Sequence, residues 1–200
     1  MTARLVVLIS GTGSNAADLL SRLDASRGAV DAEVVAMGSD LDAPGLRHAH
    51  HRGIPTFVVP LNSGENRDEW GVRLMEAIDA HAPDLVILSG FMRLVPPSVV
   101  QHYSPNMWNT HPAYLPEFPG AHAVKDVIDA GVTETGASVI VVDNGVDTGP
   151  ILAQERVRIH ADDTEETLHE RIKNVERELL FGLVRKLCDE REPKGQPANG

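Results

Sequence analysis

Residues 4–15 read Arg-Leu-Val-Val-Leu-Ile-Ser-Gly-Thr-Gly-Ser-Asn. A short, unbroken apolar run closed by glycines is the pattern of a strand buried on both faces. Residues 16–25 then take helical spacing, so Ser10-Gly11-Thr12-Gly13-Ser14-Asn15 joins a strand to a helix. Glycines in such a turn let the backbone approach a ligand closely, and free N–H groups at the helix start favour an anion. Ser14 and Asn15 are equally suited to capping the helix.

The alternation continues outward. Residues 32–38 read as a second strand, 44–52 as a helix, 55–59 as a third strand and 67–81 as a helix. Asp84 to Ser89, bounded by Pro83 and Gly90, is the next strand, and 106–109 a further short one. Recurring strand–helix–strand order implies right-handed crossovers, hence a Rossmann-like open α/β fold: a mostly parallel sheet with helices on both faces. The last third differs. Residues 136–143 and 151–159 are strand-like around a Gly- and Asp-rich loop, predicting an antiparallel C-terminal portion. Asp163-Thr164-Glu165-Glu166 is a start signal for a long amphipathic helix to about 188. No repeat or linker interrupts the chain, so 1–188 is expected to be one domain and 189–200 a polar, frayed tail.

The apolar fraction of 42% is ample for one core, and with aromatics at 4% that core is mostly aliphatic. A net charge of −11 argues against nucleic acid as a partner, because no global basic field attracts phosphate backbones. Small anions need only a local cradle. Cys188 stands alone, excludes an internal disulfide, and reads as a packed helix residue. No apolar run approaches a membrane span, and the apolar start is too short for a signal peptide and runs into Gly-Thr-Gly-Ser-Asn. The expected setting is cytoplasmic, without membrane.

The suggestive loops share a place. Gly11–Asn15, Gly90–Val95 and Asn109–Pro112 each follow a strand, and open parallel sheets bind ligands beyond the carboxyl ends of their strands. In Asn106-Met-Trp-Asn-Thr-His-Pro112, Asn109 and His111 are two apart, which on an extended strand end points them the same way. An amide donor beside a titratable imidazole suits addition to a carbonyl: one steadies the oxyanion, the other moves a proton. In Asp143-Asn-Gly-Val-Asp-Thr-Gly-Pro150, Asp143 and Asp147 fit turn chemistry, or one of them holds His111 and favours its charged form. Leu115-Pro116-Glu117-Phe118-Pro119-Gly120 is a rigid turn, and His122 starts or caps the next helix. His48, His50 and His51 lie too close on a short helix to converge on a metal, so no metal is expected. Arg67, opening a helix, is a surface charge or a carboxylate clamp. A rival reading takes Gly11-x-Gly13-x-x-Ala16 as a dinucleotide motif with Asp40 as the ribose acid of a nicotinamide-dependent oxidoreductase. It leaves Asn109 and His111 unexplained.

Together these segments are similar to the phosphoribosylglycinamide formyltransferases of the folate-dependent formyltransferase family, from about residue 4 to 185. The resemblance rests on Val-Leu-Ile-Ser-Gly-x-Gly-Ser-Asn at 7–15, Leu-Ser-Gly-Phe-Met-Arg at 88–93, Asn109-x-His111-Pro112 with Leu115-Pro116 and Pro119-Gly120, and Val146-Asp147-x-Gly149-Pro150. The later motifs occur across folate-dependent formyltransferases, whereas Gly-x-Gly-Ser-Asn points to the ribonucleotide enzymes. The resemblance implies transfer of formyl from 10-formyltetrahydrofolate, as co-substrate, to the amine of 5-phosphoribosylglycinamide. It implies a catalytic group of Asn109, His111 and Asp147 and a phosphate cradle at Gly13, Ser14 and Asn15. It also implies ribose contacts from Glu176 and Lys173, a pterin pocket lined by Met92, Arg93, Leu94 and Val95 with the loop 140–146, and Arg67 near the glutamate tail. A homodimer is allowed.

Two departures stand out. Ala113-Tyr114 replaces the family's common Ser-Leu, and Tyr114 is expected to alter the pocket edge. The segment after 188 is short and polar. Within the family, a methionyl-tRNA enzyme would need an RNA-binding domain and a basic face. A formyltetrahydrofolate hydrolase would carry an N-terminal regulatory domain ahead of a fold that here starts at residue 4. A sugar-amine formyltransferase shares the Asn/His/Asp group, and the phosphate loop argues against it. A non-catalytic nucleotide-binding module would not need the Asn/His/Asp set.

Overall fold

In the computed structural model, which describes residues 1–191, one seven-stranded sheet carries helices on both faces. The elements are β1 (Ala3–Ile9), α1 (Ser14–Ala25), β2 (Ala32–Ser39), a 3₁₀ turn (Pro44–Leu46) running into α2 (Arg47–His50), β3 (Thr56–Val58), α3 (Arg67–Asp79) and β4 (Leu85–Leu88). Then follow α4 (Pro97–Tyr103), β5 (Met107–His111), α5 (Ala123–Ala130), β6 (Glu134–Val141), β7 (Ile151–Arg158) and α6 (Glu165–Arg191). The strand order is β3-β2-β1-β4-β5-β6-β7. The first five strands pair parallel; β6 runs antiparallel to β5, and β7 to β6.

Strand alternation explains the unbroken apolar run of β1. Leu5, Val7 and Ile9 enter the core shared with α1 and α6, while Val6 and Leu8 enter the core shared with α3 and α4. β4 divides the same way, Leu85 and Ile87 to one side and Val86 and Leu88 to the other. A strand covered on both faces cannot alternate polar with apolar residues. The strand order reverses between β1 and β4, so the loops leaving these two strands diverge to opposite faces and open a crevice at their carboxyl ends.

Three boundaries differ from the sequence reading. β5 extends to His111 because β6 pairs with it, Asn109 opposite Ile140 and His111 opposite Ser138. Helix α4 was invisible to periodicity: it spans seven residues and opens on Pro97, whose fixed φ suits a first helical turn. Helix α6 continues through Arg191, so the tail does not begin at 189; residues 192–200 lie outside those described. Its start matches the expected signal, with Thr167 N–H donating to Thr164 Oγ1 and Thr164 N–H donating back to Thr167 Oγ1. Cys188 is buried on this helix. Among the described residues no helix is long and apolar enough to cross a membrane.

Two contacts fix the crevice loops. Trp70, fully buried on α3, donates Nε1–H to the Val59 carbonyl at 2.9 Å and stacks on Phe91, which anchors the loop after β4. The loop after β1 rests on the 3₁₀ turn: Gly45 N–H donates to Gly11 C=O at 3.1 Å. A Cβ on Gly45 would lie 2.6 Å from Ile9 Cδ1, 2.7 Å from Thr12 C and 2.8 Å from Gly11 O. Gly45→Ala should therefore push the Gly11–Gly13 backbone away and lower stability by about 1–3 kcal/mol, the usual range for overpacking. Urea midpoints of the two proteins would measure it, and equal midpoints would mean that the loop leaves residue 45 without cost.

Candidate active site

The crevice is a cleft of about 920 Å³, bounded by the loops after β1, β4 and β5, the β6–β7 loop and one stripe of α6. The first loop delivers backbone. Gly13 is the N-cap of α1 in the left-handed region, φ 64°, and its carbonyl accepts from Ala17 N–H at 2.8 Å. No side chain caps this helix, so Ser14 and Asn15 are its first residues and not its caps. The leading N–H groups of a helix lack internal acceptors and open toward the cleft.

Asn15 serves the far wall. Its Nδ2–H donates to Glu176 Oε2 at 3.0 Å, and its Oδ1 accepts from Arg177 Nε–H at 3.0 Å. Glu176 is the one charged side chain in the buried stripe of α6, between Ile172 and Leu180. Burial pushes its carboxyl up to about 7, against the opposing Asn15 hydrogen bond and the Lys173 and Arg177 charges. Glu165, His169 and Lys173, beside that stripe, also line the cleft. His169 was missed by sequence reasoning, though the spacing 165/169/173/176 is a helix-face pattern that would have found it. Burial, and then Lys173, hold its ring below the ordinary imidazole range.

The floor is β5. Asp147, from the β6–β7 loop, faces both residues singled out there: Asn109 Nδ2–H donates to Asp147 Oδ1 at 3.1 Å, and His111 Nδ1 lies 3.3 Å from Asp147 Oδ2. Asp147 Oδ2 also accepts from Gly120 N–H at 2.8 Å. His111 Nε2 sits 2.9 Å from the Phe118 carbonyl. A carbonyl only accepts, so Nε2 faces Phe118 as a donor, while Nδ1 faces the carboxylate. Asp147 adopts φ 54°, a left-handed conformation that Asp tolerates better than most residues.

The two acids of this loop have separate tasks. Asp143 accepts from Gly145 N–H at 3.0 Å and from Thr148 Oγ–H at 2.9 Å, which is turn chemistry, while Asp147 faces His111. Gly149 closes the loop against β6, where a Cβ would lie 1.8 Å from the Val141 carbonyl oxygen.

Met92 to Val95 form the opposite wall. Met92 and Leu94 are 65% and 59% exposed, apolar surface turned to an open cleft. Arg67 donates to the Leu94 carbonyl, and Arg93 Nε–H to Asp40 Oδ2 at 2.6 Å. Asp40 is therefore buried and committed, which removes the free acid that the dinucleotide reading required. His122 is the N-cap residue of α5 without a side-chain cap bond, and it lines the cleft. Of the three clustered histidines, His48 reaches the Thr12 carbonyl and His50 the Thr56 hydroxyl, on diverging paths. Tyr114 does not alter the cleft edge: its ring lies outside, under the Arg156 guanidinium at 3.6 Å.

The profile of the formyl transferase family matches residues 3–184. The phosphoribosylglycinamide formyltransferase of Mycobacterium tuberculosis is 49% identical over 186 residues, 93% of this chain and 85% of that one. The enzyme of the same name from Escherichia coli is 35% identical, over 90% of this chain and 84% of that one. The crystal structure of glycinamide ribonucleotide transformylase 1 from Symbiobacterium toebii superposes with a TM-score of 0.89 at 33% identity, covering 95% of this chain and 89% of that chain.

The buried Glu176 yields a pH test. Its carboxyl holds its proton more tightly in the folded chain than at its ordinary value of 4.5, so its contribution is fully present below about 4.5 and is lost as pH rises through about 7. Glu176→Gln cannot ionise. It should match the parent near pH 4.5 and be the more stable protein at pH 8.5, by on the order of 3 kcal/mol. Denaturant unfolding at both pH values checks this, and an offset independent of pH would show that Glu176 ionises freely in the fold.

Proposed function

The chain belongs to the formyl transferase family, and on that footing we propose that it moves the formyl group of 10-formyltetrahydrofolate to the amine of 5-phosphoribosylglycinamide. The products are 5-phosphoribosyl-N-formylglycinamide and tetrahydrofolate, in a cytoplasmic step of purine synthesis. The observation that carries this reading is the Asp147 carboxylate forked between the Asn109 amide and the His111 ring, at the floor of a cleft with an anion-favouring helix start at one end and an apolar wall at the other.

The acceptor lies along the α1 and α6 side. Gly13, Ser14 and Asn15 offer backbone N–H groups to its phosphate, while Glu176 and Lys173 face its ribose. The donor lies against Met92, Arg93, Leu94 and Val95 with the loop 140–146 over it, and Arg67 stands near its glutamate carboxylates. The two ligands meet above β5. There the amine lone pair attacks the formyl carbon, and the carbonyl electron pair moves onto oxygen. Asn109 has two amide hydrogens; one is held by Asp147, and the other is free for the oxyanion. His111 spends Nε2–H on Phe118, so in its protonated form Nδ1–H is the proton that can pass to the oxyanion. Collapse breaks the bond from carbon to folate N10, which takes a proton as the attacking nitrogen gives one up. The Asp147 carboxylate faces both donors and fixes their orientation.

The first test is an absorbance assay with 10-formyl-5,8-dideazafolate and 5-phosphoribosylglycinamide, each omitted in turn. Deformylation should require both. Deformylation without the amine would make the protein a hydrolase, and a requirement for a sugar amine would change the acceptor. In the same assay His111→Ala should lower kcat by about 10²- to 10⁴-fold, the usual worth of a positioned proton-transfer group. Asn109→Ala should lower it by roughly 10²- to 10³-fold. A rise in KM at constant kcat would instead place Asn109 in ground-state binding alone.

A further inference from the structure

Asp40 follows β2 at the same sheet edge as the cleft, and the proposed reaction assigns it no role. Its side chain is 1% exposed. A carboxylate so deeply buried is stable only when its oxygens are matched by donors, and here the donors come from two different loops. Asp40 Oδ1 accepts from Ser10 Oγ–H at 2.5 Å, and Oδ2 accepts from Arg93 Nε–H at 2.6 Å. Ser10 Oγ in turn accepts from Met92 N–H at 2.8 Å, and Ser10 N–H donates to Gly90 C=O at 3.0 Å. The buried charge thus grips two successive residues of one segment: Met92 by its backbone, through Ser10, and Arg93 by its guanidinium.

Packing holds that segment at its two ends, through Phe91 and Val95. Met92 and Leu94 point outward over the cleft, so packing does not fix them. Between those ends the backbone is held by the hydrogen-bond chain beneath it, with Arg67 on the Leu94 carbonyl. We propose that Asp40 is a positioning residue for the folate site, setting the Met92–Val95 wall through Ser10 and Arg93 without touching the ligand. This rests on the reading that Met92–Val95 receive the folate. A wall already set in its binding position binds without the cost of ordering it, and a released wall must be ordered at each encounter.

Two variants of the full chain test the idea. Asp40→Asn keeps an oxygen for Ser10 but has no acceptor for Arg93. Ser10→Ala removes no charge, cuts the link to Met92 N–H, and carries the test if Asp40→Asn fails to fold. Calorimetric Kd values for 10-formyl-5,8-dideazafolate and 5-phosphoribosylglycinamide would be measured in each, with amide exchange at Met92. In each variant the folate-analogue Kd should rise about 10-fold, the worth of a hydrogen bond to a charged group. The acceptor Kd should stay within about 2-fold, as for an independent site, and Met92 N–H should exchange faster. An unchanged folate Kd would overturn the proposal. So would an equal rise in both Kd values, which marks general loosening of the fold. A parent protein that does not bind the folate analogue would sink the underlying reading, and the proposal with it.

Discussion

The carboxylate of Asp147 is the contact on which the cleft depends. It joins three segments: β5 through Asn109 and His111, the Pro-rich turn that follows β5 through Gly120 N–H, and the β6–β7 loop that carries it. Asp147 sits there in a left-handed conformation, a local strain of order 1 kcal/mol or more that persists only where the surroundings over-determine it. The surroundings do so. Charge-assisted hydrogen bonds in a poorly hydrated place are stronger than their surface counterparts. Gly149 lets the loop lie flat on the Val141 carbonyl, and Asp143 closes the turn from within. Without this acceptor, the imidazole would have only the Phe118 carbonyl to orient it.

The fold explains why the charge balance of the chain does not bar anionic ligands. At −11 the protein repels anions at long range, yet both proposed ligands are anions. The cleft answers with short-range devices: the uncapped start of α1, Lys173 on α6, and Arg67 and Arg93 on the donor side. Three of these cations are already engaged, Lys173 with Glu170, Arg67 with Leu94 and Arg93 with Asp40. They are therefore held in place before a ligand arrives, which reduces the ordering cost of binding.

Much of this was legible in the chain. The apolar runs of β1 and β4 disclosed a sheet covered on both faces, and the glycine turn after β1 disclosed the crevice. Asn109 and His111 share a strand end as their spacing requires. What stayed hidden depended on partners distant in sequence. Nothing local to Asp40 distinguishes a ribose ligand from a buried strut; the difference lies in Ser10 and Arg93, 30 and 53 positions away. Nothing local to Asp143 and Asp147 says which one meets the histidine. Helix α4 is too short for periodicity to register. Glu176 came only through the resemblance, although the structure shows it as a single carboxylate in an apolar stripe at four-residue spacing.

Ala113-Tyr114 follow β5 directly and yet leave the cleft untouched. Tyr114 turns away from β5, and its ring lies under the Arg156 guanidinium, which also makes paired 2.9 Å bonds to both Glu117 carboxylate oxygens. Room for the ring is made across the sheet, where Gly136 faces it; a Cβ there would stand 2.9 Å from Tyr114 Cβ and 2.4 Å from the Glu155 carbonyl oxygen. The tyrosine therefore fills a space that a side chain on β6 cannot use. Arg156 bridges the two ends of the turn, Tyr114 and Glu117, from β7. The next residue is Phe118, in a left-handed conformation at φ 52°, and its carbonyl accepts a hydrogen bond from His111 Nε2–H. A bulky residue at 114 is thus tolerated because its consequences fall on the outer face of the turn, where Arg156 gathers them, while the inner face still presents one fixed carbonyl to the imidazole.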